Sequence, residues 1–119
     1  MQDYKDLKVW QKAHNLTLKI CKATETFPKS EVFNLVSQLR RAGASIPCNI
    51  AEDCGRNSNA DFANFLRISL GSVNETEYLL LLAKELQYLT QELFDDLNQD
   101  VNEVKAMLIS FIKKVRLTT

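Results

Sequence analysis

Val9, Ala13, Leu16, Ile20, Ala23 and Phe27 recur at alternating steps of four and three, the spacing that lines apolar side chains along one face of an α-helix. The stripe predicts a first helix from about Asp6 to Thr26. Phe27-Pro28 closes it, because a residue before proline is pushed out of the α region, and Ser30 stands where the next helix needs an N-cap. A second helix follows, with Val32, Val36, Leu39, Gly43, Ile46 and Ile50 on its inner face and its end near Cys54-Gly55. Pro47 lies inside it. The missing N–H leaves the carbonyl of Gly43 without its helical partner, which predicts a kink near Ala44 to Pro47 or a break into two pieces, with Ser45 placed to satisfy the freed oxygen.

Ser58, with Asp61 at the third helical position, forms a variant of the capping box and opens a third helix that runs to about Leu89. Its run Tyr78 to Ala83 is apolar around the whole circumference, so that stretch must be covered on most sides. Thr90 caps a fourth helix in which Phe94, Leu97, Val101, Val104, Leu108, Phe111 and Val115 again alternate steps of three and four. Four striped helices with short connectors predict an all-α fold, an up-down-up-down antiparallel four-helix bundle kinked at Pro47, with residues 1–119 as one domain.

Composition agrees with that pattern: 119 residues suffice for one core, and three glycines and two prolines are too few for an all-β chain rich in turns. Fifteen basic residues balance fifteen acidic ones, so no global field draws the chain to nucleic acid or a membrane, and any such binding must use a local patch. The longest apolar run is far short of a membrane span. Three cysteines without Cys-x-x-Cys spacing fit a reducing compartment, so a cytoplasmic location is expected.

Helix 1 carries a second apolar group beside its core stripe, comprising Leu7, Trp10, Leu18 and Cys21. Together with the Leu-rich end of helix 3, including Leu79 and Leu82, this is more apolar surface than one small core absorbs. Leu7, Trp10, Leu18, Leu79 and Leu82 are therefore the candidate interface of a homo-oligomer, a closed ring or a dimer.

Polar groups interrupt helices 2 and 3. Arg41, Ser45, Asn49, Glu52 and Arg56 form one line on helix 2, preceded by Arg40, and Arg67, Glu75 and Glu77 answer from helix 3. In an antiparallel pair, Arg40 and Arg41 would lie toward Glu75 and Glu77, whose carboxylates match guanidinium forks. The line reads either as a ligand or catalytic site or as a network fixing register, and the network is favoured because no nucleophile–base pair accompanies it.

Cys48, Cys54 and His14 would make an incomplete zinc site without the usual close cysteine spacing, and no phosphate-cradling glycine motif is present. Neither a metal, a cofactor nor a small-molecule substrate is expected. Lys8, Lys12, Lys19 and Lys22 form a basic stripe on helix 1, and Lys113, Lys114 and Arg116 a basic last turn on helix 4. These are candidate nucleic-acid contacts set against the commoner solvated face.

The strings DLKVWQKAHNL, FPKSEVFNLVSQLRRAGASIPCNIAEDCGR and DFANFLRISLGSVNETEYLLLLAKELQYL closely resemble the bacterial four-helix-bundle proteins first noticed as reading frames within intervening sequences of 23S ribosomal RNA genes. The likeness spans roughly Tyr4 to Leu89 and is most specific in RRAGASIPCNIAE, FLRISLGS and ETEYLL. Asp53 stands where the family's NIAEG has glycine. The resemblance implies a homopentameric barrel and no enzymatic activity. A relative in diversity-generating retroelements, the accessory variability determinant, binds a reverse transcriptase and nucleic acid through a strongly basic surface, which implies RNA or an RNA-handling protein as a partner. The function expected is thus that of a non-enzymatic ring-forming interaction protein, with a structural or protein-binding scaffold as the alternative.

Overall fold

The computed structural model describes residues 3–54 and 58–117. Gly55 and Arg56, given above a helix-ending and a network role, lie outside the described residues. The chain forms four α-helices: α1 (Lys8–Ala23), α2 (Ser37–Asp53), α3 (Asn59–Glu85) and α4 (Gln91–Leu117). Consecutive helices pack together and α4 returns to α1, which closes a square antiparallel bundle of 46 × 23 × 20 Å. No strand occurs among the described residues.

The helix ends follow from local chemistry. Ser58 Oγ accepts the Asp61 N–H (3.1 Å) and Thr90 Oγ1 accepts the Leu93 N–H (3.1 Å), so both expected caps form. α3 stops at Glu85, short of Leu89, in a Schellman turn: the Gln87 N–H reaches Lys84 O and the Tyr88 N–H reaches Ala83 O, each at 2.9 Å. Gln87 holds φ at 68°, a left-handed position that suits glycine.

α1 is shorter than its stripe, because 3₁₀ turns at Tyr4–Asp6 and Thr24–Thr26 flank it. The entry to α2 differs more. A 3₁₀ turn (Lys29–Glu31) and a π-helical turn (Val32–Val36) precede Ser37, so Ser30 lies inside a turn and makes no cap. Glu31 anchors this segment instead, its carboxylate accepting the Tyr88 hydroxyl (2.9 Å) and Asn34 Nδ2 (2.9 Å). The Tyr88 bond, and to a lesser degree Asn34, holds that carboxyl below its ordinary range. The wide π turn shifts the helical phase, which leaves Val32 exposed while Leu35 and Val36 are buried.

Pro47 does not break α2, which continues to Asp53. The carbonyl that the proline strips of its N–H is met from the neighbouring helix: Thr17 Oγ1 on α1 donates to Gly43 O at 2.9 Å. The same hydroxyl lies 3.0 Å from Ala13 O, but that oxygen keeps its helical N–H, so the proton belongs to Gly43. Ser45, expected to serve Gly43, donates to Ala42 O instead (2.8 Å). Gly43 also sets the spacing, since a Cβ there would meet Ile20 Cδ1 at 3.1 Å.

The core follows the predicted stripes. Leu16, Ile20, Leu39, Ile46, Ile50, Leu66, Leu80, Leu97, Val101, Val104 and Leu108 are fully enclosed, and removing such a side chain costs about 2–5 kcal/mol.

Thr17→Val is expected to lose about 1–2 kcal/mol by stranding the Gly43 oxygen. Adding Pro47→Ala restores a backbone donor and should shrink that loss, a coupling that a denaturation double-mutant cycle measures. Gln87→Gly should gain about 0.5–1 kcal/mol in the same assay by removing the left-handed strain.

Candidate functional site

Along the closing edge of the bundle, α1 presents lysines and α4 presents acids. Lys12 Nζ meets Glu103 Oε2 at 2.9 Å, and Lys19 Nζ meets Asp96 Oδ2 at 3.0 Å and Asp100 Oδ2 at 2.7 Å. Hydrogen bonds to Glu103 raise Lys12 above the ordinary lysine range, and those to Asp100 and then Asp96 raise Lys19. Half of the predicted basic stripe on α1 is thus neutralised within the molecule. Lys8 and Lys22 remain exposed, as do Lys113, Lys114 and Arg116 on the last turns of α4.

The polar residues of α2 and α3 divide among three tasks. Arg40 turns toward α1, where Nε donates to Thr24 Oγ1 (2.9 Å) and Nη2 to Cys21 O (3.1 Å), placing a cation at the negative end of that helix. Glu77 turns toward α4 and takes Lys105 Nζ on both oxygens at 3.0 Å. The expected Arg40–Glu77 contact is therefore replaced, since the two side chains leave α2 and α3 on opposite flanks.

Asn49 Nδ2 donates to Ser45 O (2.8 Å) and Ser69 Oγ to Ile46 O (3.3 Å), so the turns around Pro47 receive side-chain bonds. Arg41 Nη2 donates to Ser37 Oγ (3.1 Å). Of the predicted cross-helix pairing there remains a depression of about 190 Å³ lined by Gln38, Arg41, Ala42, Ser45 and Glu75, with no ion pair between Arg41 and Glu75. Glu52 and Arg67 are exposed.

Among the described residues no group of three or more His, Cys, Asp or Glu is placed to hold a metal ion. His14 stacks on Trp10, with centroids 4.9 Å apart and rings inclined by 9°, while Tyr4 meets the same indole edge-on at 5.0 Å. Cys48 is exposed, and Cys21 and Cys54 are half-buried.

The predicted oligomer surface is split. Leu7 and Leu79 are buried in the protomer, Trp10 and Leu82 are half-buried, and Leu18 is 55% exposed. Two large apolar residues that the sequence reading left out of this surface stand open on α3, Ile68 at 49% and Tyr78 at 59%. Their signal was present: Ile68, Gly71, Glu75 and Tyr78 recur at steps of three and four on the exposed side of α3, and the row runs on to Leu82, which packs partly against the core. Among the described residues, no helix is long and apolar enough to cross a membrane.

These features define an antiparallel four-helix bundle whose inward polar groups serve structure and whose open features are surfaces. Residues 5–110 match a family described as 23S rRNA-intervening sequence protein, and the chain belongs to that family. It is similar to a protein of unknown function from the S23 ribosomal protein family of Bacteroides thetaiotaomicron, known from a crystal structure. The two share 36% identity and a TM-score of 0.80 over 88% of this chain and 98% of that one. No curated protein matches the chain significantly.

The raised Lys12 and Lys19 values fix the sign of a pH effect. Stability from these pairs is full below the unfolded lysine value and fades as pH rises through the higher folded one. Lys19→Met should thus destabilise the fold at neutral pH by less than about 1 kcal/mol, because the pairs face solvent, and so lower the melting temperature. The gap to wild type should close in alkaline melts.

Proposed function

We propose that the protein is a non-enzymatic scaffold that assembles with copies of itself into a closed ring in the cytoplasm, five copies by family resemblance, and offers its outer surfaces to protein partners. The observation that carries this reading is the outward stripe of α3. Gly71 sits at its centre in the interior of a 27-residue helix, and a Cβ there would touch nothing within 4 Å. Glycine in a helix interior costs about 1 kcal/mol relative to alanine, and the protomer gives no steric return for it. Close approach by another chain supplies one, with Ile68 and Tyr78 as apolar anchors on either side.

Leu18 on α1 supports the same reading from the diagonally opposite corner of the square. An interface joining two different faces is heterologous, and such interfaces build rings when the rotation closes.

RNA or an RNA-handling protein is the second reading, supported by the family and by Lys8, Lys22, Lys113 and Lys114. The ion pairs of Lys12 and Lys19 with α4 favour protein partners over a phosphate backbone.

Light scattering on purified protein tests the assembly, where a mass several times that of one chain is expected and a single-chain mass overturns it. Gly71→Leu has room in the protomer and should fold normally by circular dichroism while lowering the assembled mass, as should Tyr78→Glu. Unchanged assembly of both variants would remove α3 from the interface. A mobility-shift titration against structured RNA at low and high salt decides the second reading.

A further inference from the structure

The acidic stripe of α4 does not run its full length. Asp96, Asp100 and Glu103 are followed at the same steps of four and three by Met107, Ser110 and Lys114, so the positions that answer α1 change from acidic to apolar and then to basic. On α1 the lysines continue through Lys19 and Lys12 to Lys8. The ladder therefore ends open. Where it ends lies an open groove of about 450 Å³, floored by Leu7, Val9, Met107 and Phe111 with Lys8 on one helix and Lys114 on the other.

Two ammonium groups flank apolar surface here, and no ion pair among the described residues includes either of them. Lys8 is also the first residue of α1, whose first turn holds no acid, so its charge sits at the positive end of the helix dipole. A carboxylate is the group that the positive end of a helix favours.

We propose that this groove docks an acidic amphipathic segment of a partner protein, with a carboxylate between Lys8 and Lys114 and apolar side chains on Met107 and Phe111. The incoming acid takes the place that Glu103 and Asp100 fill one and two turns away, and so completes the ladder. The floor suits such a guest, because a methionine thioether adapts its shape to a variable apolar surface. Helix-in-groove recognition reads anchors one turn apart, and an open apolar floor between two lysines offers places for two or three such side chains. The proposal concerns the α1–α4 edge rather than the outward face of α3 and does not depend on the ring.

The test uses the full chain and a fluorescein-labelled helical peptide with leucines along one face flanked by glutamates, compared with the same peptide carrying glutamines. Fluorescence anisotropy should show the glutamate peptide binding in a salt-sensitive way. The double variant Lys8→Gln/Lys114→Gln should weaken it about tenfold, two solvent-facing charge pairs together. Lys29→Gln, at the far end of the bundle, should leave it unchanged. Methyl NMR supplies an independent readout, since the Met107 resonance should shift with the glutamate peptide. The proposal is overturned by absence of binding, by equal binding of the two peptides, by an unaffected double variant, or by an unmoved Met107 methyl. It is equally overturned if a single-stranded RNA oligonucleotide displaces the peptide and itself requires Lys8 and Lys114.

Discussion

The bundle depends on the close approach of α1 and α2 at Gly43. A proline inside a helix removes one hydrogen bond and crowds the carbonyl four residues earlier, a loss of about 3 kcal/mol when nothing compensates. Here that carbonyl belongs to the one residue of α2 without a side chain, so α1 can come near enough for Thr17 to donate to it. Pro47, Gly43 and Thr17 form one device in which each makes the next tolerable. The neighbouring polar residues extend it: Ser45, Asn49 and Ser69 donate to Ala42, Ser45 and Ile46 oxygens respectively, and Arg40 closes the end of α1. Their polarity answers the backbone. Side chains engaged this way hold the register of α2 against both neighbours and are poorly placed to do chemistry on a substrate.

Most of the architecture was legible because periodicity encodes burial directly. The stripe of α1 is buried along its whole length, and on α4 only Phe94 and Phe111 sit partly out, where Ile112 shares the inner position. Caps at Ser58 and Thr90 were equally readable, since a hydroxyl before a helix acts within three residues of itself. What stayed hidden involved a shift of phase or a choice between two neighbours. The π turn at Val32–Val36 moves Val32 out of its stripe with no marker in composition. Arg40 and Glu77 each had two helices within reach, and a linear pattern does not say on which side a long side chain falls. Thr17 was missed for a related reason: its role is defined by Gly43, twenty-six positions away.

Zero net charge conceals a segregated surface. Lysines collect on α1 and carboxylates on α4, and the two meet along the edge that no loop connects. Exposed pairs of this kind add little stability each, so their value lies in specifying which helix closes the square and in what register. A chain that uses its basic stripe this way has less of it left for phosphates than a count of lysines suggests. This also explains how a family associated by name with ribosomal RNA genes can include a member without a basic global field.

If inward polar groups serve the backbone and the main charged edge serves closure, function must be sought where neither demand is met. The outward face of α3 and the open end of the α1–α4 edge are two such places. On α3, Ile68 and Tyr78 face solvent on either side of a glycine that packing in the protomer does not require. At the open end of the α1–α4 edge, apolar floor and like charges meet without a carboxylate. Both are features a solitary soluble bundle would do better without: alanine is the better residue at Gly71 of a lone helix, and an acid is the better neighbour for Lys8. Residues that are suboptimal in the single chain are the ones that the proposed assembly and the proposed partner would put to use.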